Sequence, residues 1–189
     1  MNRAIFLDRD GTLNVDKNYL SDADQLVLFP ALGPALRRLR DAGFLLFIVT
    51  NQSGIGRGYY SVADMERVHV RLCDELAKDG VRFTKIYFAP EAPDQPSHGR
   101  KPSPQFLFDA RAEFDLDLAR SYMVGDKWID LECGWSAGVK KSLLVRTGYG
   151  ADVEKIAAPG LEQAIILDDV PAVAQWILAQ EASPAPAVG

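Results

Sequence analysis

Residues 4–14 read AIFLDRDGTLN. An apolar run, Ala4 to Leu7, passes directly into two aspartates two positions apart, Asp8 and Asp10, with Arg9 between them and Gly11-Thr12 behind. The apolar run has the character of a strand, and Asp-Gly is turn chemistry. A turn explains Asp10-Gly11. It does not explain why a second carboxylate sits at the last step of the strand.

The rest of the chain alternates short apolar runs with longer amphipathic ones. Leu32, Ala35, Leu36 and Leu39 fall at helical spacing within 31–42, with Gly43 as the stop. FLLFIV at 44–49 is apolar throughout, as suits a strand covered on both faces. Ser61 and Asp64 form a capping-box-like start to a helix that Gly80 ends. KIYFA at 85–89, SYMVG at 121–125 and SLLVRT at 142–147 read as further strands; 104–114, 129–137 and 170–179 read as helices. PEAPDQPSHGRKPSP at 90–104 is a loop. Strands separated by helices imply an α/β fold of three layers, Rossmann-like, with a mostly parallel sheet and helices on both faces.

With 189 residues, 48% of them hydrophobic and 25% charged, the chain is expected to be one globular domain over 1–180, followed by a tail, EASPAPAVG, at 181–189. The formal net charge of -5 argues against nucleic acid as a partner. Cys73 and Cys133 make no disulfide framework and read as helical core positions. No secretory leader and no apolar run of about 18 residues is evident, so a cytoplasmic location without a membrane partner is expected.

In parallel sheets of this kind, ligands sit beyond the carboxyl ends of the strands. After the first strand come Asp8, Asp10, Gly11 and Thr12; after the second, Thr50, Asn51, Gln52 and Ser53. Beyond the third and its loop come Arg100 and Lys101, and after the fourth Asp126, Lys127 and Asp130. Clustered aspartates repel unless a cation neutralises them, and oxygen-only ligands favour Mg2+. Arginine and lysine beside them suit a phosphate. A metal, a cationic clamp and a nucleophile make a site for phosphoryl transfer. Asp8 is the candidate nucleophile and Asp10 the candidate group that protonates the leaving oxygen and later deprotonates water. Each motif alone also reads as a turn, a loop, surface charge or a helix cap; their joint placement after successive strands favours a site.

These motifs resemble those of the haloacid dehalogenase (HAD) superfamily: DRDGT after strand one, Thr50 after strand two, Lys101 downstream, and GDKWID after strand four. The resemblance implies a fold with a minimal cap domain or none, and Mg2+ on the Asp8 carboxylate, the Asp10 backbone carbonyl and the Asp126 carboxylate, with Asp130 in support. It makes Thr50, Asn51, Arg100 and Lys101 phosphate binders. VTNQSGIGRG and RKPSP are further similar to the subgroup of histidinol-phosphate and heptose-bisphosphate phosphatases. That likeness makes Arg9, Asp16, Lys17, Asn18, Tyr19, Gln52, Ser53, Arg57 and Lys127 candidate substrate contacts. It implies a small phosphorylated sugar as substrate, the 7-phosphate of a heptose bisphosphate first and histidinol phosphate second, and a role in lipopolysaccharide or related carbohydrate synthesis. A monomer or weak oligomer is expected. Many members carry a structural zinc before RKP, whereas the 90–104 loop here has His98 and no cysteine, so zinc is not expected. His98 and His69 are expected to be structural or surface residues. A catalytically idle binding protein on the same fold is the alternative of another class; the intact set Asp8, Asp10, Thr50, Lys101 and Asp126 argues against it.

Overall fold

The computed structural model describes residues 1–182. Six parallel strands form one sheet in the order β3-β2-β1-β4-β5-β6. They are β1 Arg3–Leu7, β2 Phe44–Asn51, β3 Lys85–Ala89, β4 Tyr122–Gly125, β5 Lys141–Val145 and β6 Ile165–Leu167. The helices are α1 Leu32–Asp41, α2 Ser53–Gly56, α3 Val62–Ala77, α4 Gln105–Phe114, α5 Trp128–Ala137, α6 Gly150–Ile156 and α7 Val170–Ala182.

The apolar strands are explained by burial on both faces. Side chains alternate across a strand. Ile5 and Leu7 therefore join one core with Leu36 and Leu39 of α1, Leu72 and Leu76 of α3 and Val173 and Ile177 of α7. Ala4 and Phe6 join the opposite core with Leu107 and Ala110 of α4 and Cys133 and Ala137 of α5. Phe6 pairs in register with Phe47, and their rings stack at 5.2 Å.

The chain builds outward from β1 through β2 to β3, then returns to β4 on the other side of β1 and continues to β6. The β1–β4 boundary is thus the point where the winding reverses, and a crevice opens beyond the carboxyl ends of these two strands. Between β1 and α1 the chain holds only the 3-10 turn Ala23–Gln25 and a short flap, where Val15 N–H donates to Val27 O at 2.9 Å and Phe29 N–H to Leu13 O at 3.1 Å. Neither this segment nor the α2 connection carries an inserted cap domain.

Some elements differ from the sequence expectation. β6 and α6 were not anticipated: IIL is too short to show a period, and GADVEKI opens on glycine, a poor helix former. α7 continues through Ala182 rather than stopping at Ala179. Glu181 explains this: it accepts from Tyr122 Oη at 3.0 Å and Lys140 Nζ at 2.8 Å and also pairs with Arg3. Of the expected tail, 183–189 lies outside the described residues. Among the described residues no helix is long and apolar enough to cross a membrane.

Candidate active site

Asp8 leaves β1 at the winding reversal, its N–H donating to Val124 O of β4 at 2.9 Å. Its Oδ1 accepts from Lys101 Nζ at 2.7 Å, and the same ammonium lies 2.6 Å from Asp130 Oδ1. Lys101 and Asp130 are essentially sealed from solvent. Burial acts to lower the Lys101 pKa, but the charges of Asp130 and Asp8 raise it above its ordinary value, so it stays cationic. The loop holds it in place through a reciprocal amide clamp: Asn51 Nδ2 donates to Lys101 O and Lys101 N–H donates to Asn51 Oδ1, both at 3.0 Å.

Asp126 follows β4. Its Oδ2 accepts from Tyr149 N–H at 2.8 Å, whereas its buried Oδ1 has no hydrogen-bond partner. Two glycines make room for it: Gly11 at φ 86° and Gly148 at φ 56°, where an added Cβ would lie 2.2 Å from Asp126 Oδ2 in either case. Burial, then the charge of Asp8, pushes the Asp126 carboxyl up to about 8. Ligand oxygens of Asp8, Asp126 and Asp130 all lie within 4.8 Å of one another. A hard divalent cation fits this set: three clustered carboxylates exceed what Lys101 neutralises, and the orphaned Asp126 Oδ1 is an open oxygen donor. Asp130 is already committed to Lys101 and, through Oδ2, to Lys127 N–H at 3.0 Å. That leaves Asp8 and Asp126 as the carboxylates able to take an ion.

Asp10 turns the other way. Its Oδ2 accepts from Arg9 Nε at 3.0 Å, Arg9 Nη2 at 2.6 Å and Gln52 Nε2 at 3.0 Å; its Oδ1 accepts from Asn14 Nδ2 at 3.0 Å. Burial pushes this carboxyl up, but the Arg9 charge and these donors pull it further down, below the usual range. Its side chain therefore stands outside the acidic cluster, which leaves only the backbone carbonyl for a metal.

A cavity of about 280 Å³ opens over these groups. Asp8, Asp10, Asp16, Asn18, Tyr19, Thr50, Asn51, Gln52, Ser53, Arg100, Lys101, Lys127 and Asp130, all candidates in the sequence, line it. Arg100 approaches from the loop after β3, where its Nη1 donates to Glu91 O at 3.1 Å; Lys127 approaches from the β4 side, with Nζ 3.3 Å from Asp16 Oδ2 and 4.9 Å from the Tyr149 ring centroid. Thr50 Oγ1 accepts from Gln52 Nε2 at 2.8 Å, which leaves its own hydroxyl hydrogen free for a ligand oxygen.

Three expected contacts do not reach the cavity. Arg9 is fully buried behind Asp10, because its guanidinium is taken up by Asp10, Gln52 and His69. Lys17 is exposed and outside the lining. Arg57 is exposed, yet near enough that its charge, after burial, helps lower the Arg100 pKa. Asn51 lines the cavity, but both polar atoms of its side chain are spent on Lys101. His98 pairs with Asp109 of α4 at 2.6 Å, away from the lining. Tyr60, Ile129 and Tyr149 also line the cavity and were not anticipated. Tyr149 follows β5, so the strand-end rule, extended by one strand, finds it. Tyr60 lies between the Gln52 turn and the Ser61 cap, in a stretch with no recognisable pattern.

A family model described as HAD-hydrolase-like matches residues 98–173. The chain is 40% identical over 178 residues to D-glycero-beta-D-manno-heptose-1,7-bisphosphate 7-phosphatase of Haemophilus ducreyi, covering 90% of this chain and 98% of that protein. It is 41% identical over 152 residues to the Escherichia coli K12 protein of the same name, covering 77% of this chain and 80% of that one. Among solved structures it is similar to the D,D-heptose 1,7-bisphosphate phosphatase of B. bronchiseptica complexed with magnesium and phosphate. There the TM-score is 0.88 at 33% identity, over 95% of this chain and 99% of that one.

Proposed function

The chain belongs to the HAD-superfamily phosphatases, in the subgroup of the D-glycero-D-manno-heptose-1,7-bisphosphate 7-phosphatases, and from that premise we propose that it removes the 7-phosphate of a heptose 1,7-bisphosphate through a phosphoryl-Asp8 intermediate. The observation that carries this reading is the buried Asp8–Lys101–Asp130 chain at the floor of the cavity, beside an acidic cluster that has an open Asp126 oxygen. An idle binding protein has no use for a lysine held at 2.7 Å from a strand-end carboxylate.

In the first half-reaction an Asp8 carboxylate oxygen bonds to phosphorus while the bond from phosphorus to the sugar oxygen breaks, and that oxygen takes a proton from Asp10. In the second, water bonds to phosphorus, Asp10 accepts its proton, and the bond from phosphorus to Asp8 breaks to release phosphate. Asp10 starts ionised in the absence of ligand; a phosphate anion against it raises its proton affinity, so that it takes up a proton from solvent as the substrate binds and then serves as the acid. Lys101 and the Thr50 hydroxyl stabilise the charge that builds on the phosphoryl oxygens. Arg100 and Lys127, from opposite sides of β1 in the sheet order, suit a substrate with a second anionic group. Mg2+ held by Asp8, Asp126 and the Asp10 carbonyl would offset the negative charge of nucleophile and phosphate together. Among the described residues no inserted cap domain covers the cavity, which suits a small extended sugar phosphate.

The test is phosphate release from the alpha and beta heptose bisphosphates and from histidinol phosphate, with Mg2+ and with chelator. The reading expects the specificity constant for one heptose anomer to exceed that for histidinol phosphate by at least about tenfold, roughly 1.4 kcal/mol of discrimination, and turnover to vanish with chelator. Equal or better turnover of histidinol phosphate overturns the substrate assignment.

A further inference from the structure

Behind Asp10 lies a buried polar assembly that the reaction above leaves unused. Arg9 has no solvent exposure, and its donors are distributed deliberately. Nε and Nη2 grip Asp10 Oδ2, Nη2 also reaches Gln52 Oε1 at 3.1 Å, and Nη1 meets His69 Nε2 of α3 at 3.1 Å. His69 is buried and neutral, its pKa pushed down to about 3 by burial and by the Arg9 charge, so Nε2 has a lone pair to accept from Nη1. Tyr60 Oη donates to Gln52 Oε1 at 2.7 Å and closes the assembly. A packed core has no need of a fully buried guanidinium; an apolar side chain fills the same volume without the cost of desolvating a charge.

We infer that Arg9 and His69 are positioning residues for proton transfer: they fix the Asp10 carboxyl so that Oδ1, and not Oδ2, carries the proton exchanged with the sugar oxygen and with water. Oδ2 accepts three N–H groups and has no lone pair left for a fourth partner. Oδ1 accepts one, from Asn14. Arg9 pins Oδ2 with two donors and Asn14 holds Oδ1, so the carboxyl is fixed at both oxygens, and His69 meets the guanidinium from α3. The inference rests on the assignment of Asp10 as the proton-transfer group.

That assignment supplies the readout. An alkoxide leaving from a sugar needs the proton; a nitrophenolate does not. Single-turnover release of the sugar from heptose bisphosphate is compared with the nitrophenolate burst from p-nitrophenyl phosphate, both with Mg2+, in the wild type and in His69→Phe, His69→Gln, Arg9→Lys and Asp10→Asn. The inference expects His69→Phe and Arg9→Lys to slow sugar release by about ten- to a hundredfold and the nitrophenolate burst by no more than about twofold. His69→Gln, which keeps an acceptor for Arg9, should recover most of the loss. Arg9→Lys carries the test alone if His69→Phe does not fold. Equal losses on both substrates, or no loss on either, overturn the inference while Asp10→Asn still shows the split. If Asp10→Asn itself shows no split, the role of Asp10 falls, and the role of Arg9 and His69 with it.

Discussion

The DRDGT stretch concentrates two opposite electrostatic problems within three residues. Asp8 faces an anionic cluster and is matched by Lys101; Asp10 lines the same cavity but stands outside that cluster and is matched by Arg9. His69 makes the second match possible, because its neutral ring tolerates a buried cation beside it. This has a consequence for stability. The folded-state pKa of His69 lies near 3, below the unfolded value of 6.5. The unfolded chain therefore binds more protons between these limits, and stability falls as pH drops from about 6.5 toward 3. From this one group the slope approaches about 1.4 kcal/mol per pH unit at most. Urea unfolding of the wild type and His69→Gln at pH 7 and pH 5 should show the wild type losing more stability on acidification; parallel losses would assign the acid sensitivity elsewhere. Asp8, Asp10, Thr50, Lys101, Asp126 and Asp130 were legible in the sequence because each follows a strand directly or sits in a dense polar motif. The place of Arg9 was not, since an arginine between two aspartates reads equally as a ligand contact or as a buried partner, and only the packing of α3 against this turn separates them.

At the scale of elements, legibility followed length and apolar pattern. β1 and β2 declare themselves because both faces are covered, and α3 because its start is chemically specified. Ser61 Oγ accepts from Asp64 N–H at 3.2 Å while Asp64 Oδ2 accepts from Ser61 N–H at 2.7 Å. This capping box satisfies two of the otherwise orphaned groups at the helix start. Ser61 is exposed, so Ser61→Ala removes the cap without opening a cavity; it should cost about 1 kcal/mol in chemical denaturation and leave kcat unchanged. A loss near zero would mean water replaces the cap fully. α6 and β6 stayed hidden because seven and three residues are too few to show a period, and their places are set by what they pack on. Leu161, Leu144 and Leu131 form the small third core under them.

Over the whole molecule, a parallel sheet that winds out in both directions from β1 brings the ends of distant segments to one crevice. Asp8, Thr50, Lys101 and Asp126 are far apart in sequence and meet because β1 is flanked by β2 and β4. The two cores on either face hold that geometry, and Arg3, Tyr122, Lys140 and Glu181 fasten the last helix to the sheet on the side away from the site. The account depends on this convergence delivering a phosphoryl group to one carboxylate. The direct measurement is to acid-quench the enzyme during turnover with heptose bisphosphate and Mg2+, reduce acyl phosphates with borohydride, and weigh the peptide containing residue 8. Conversion of Asp8 to homoserine in the turning-over sample, absent without substrate, is the predicted result. Turnover with residue 8 unmodified, or with the reduced carboxyl at any other aspartate, would contradict the account.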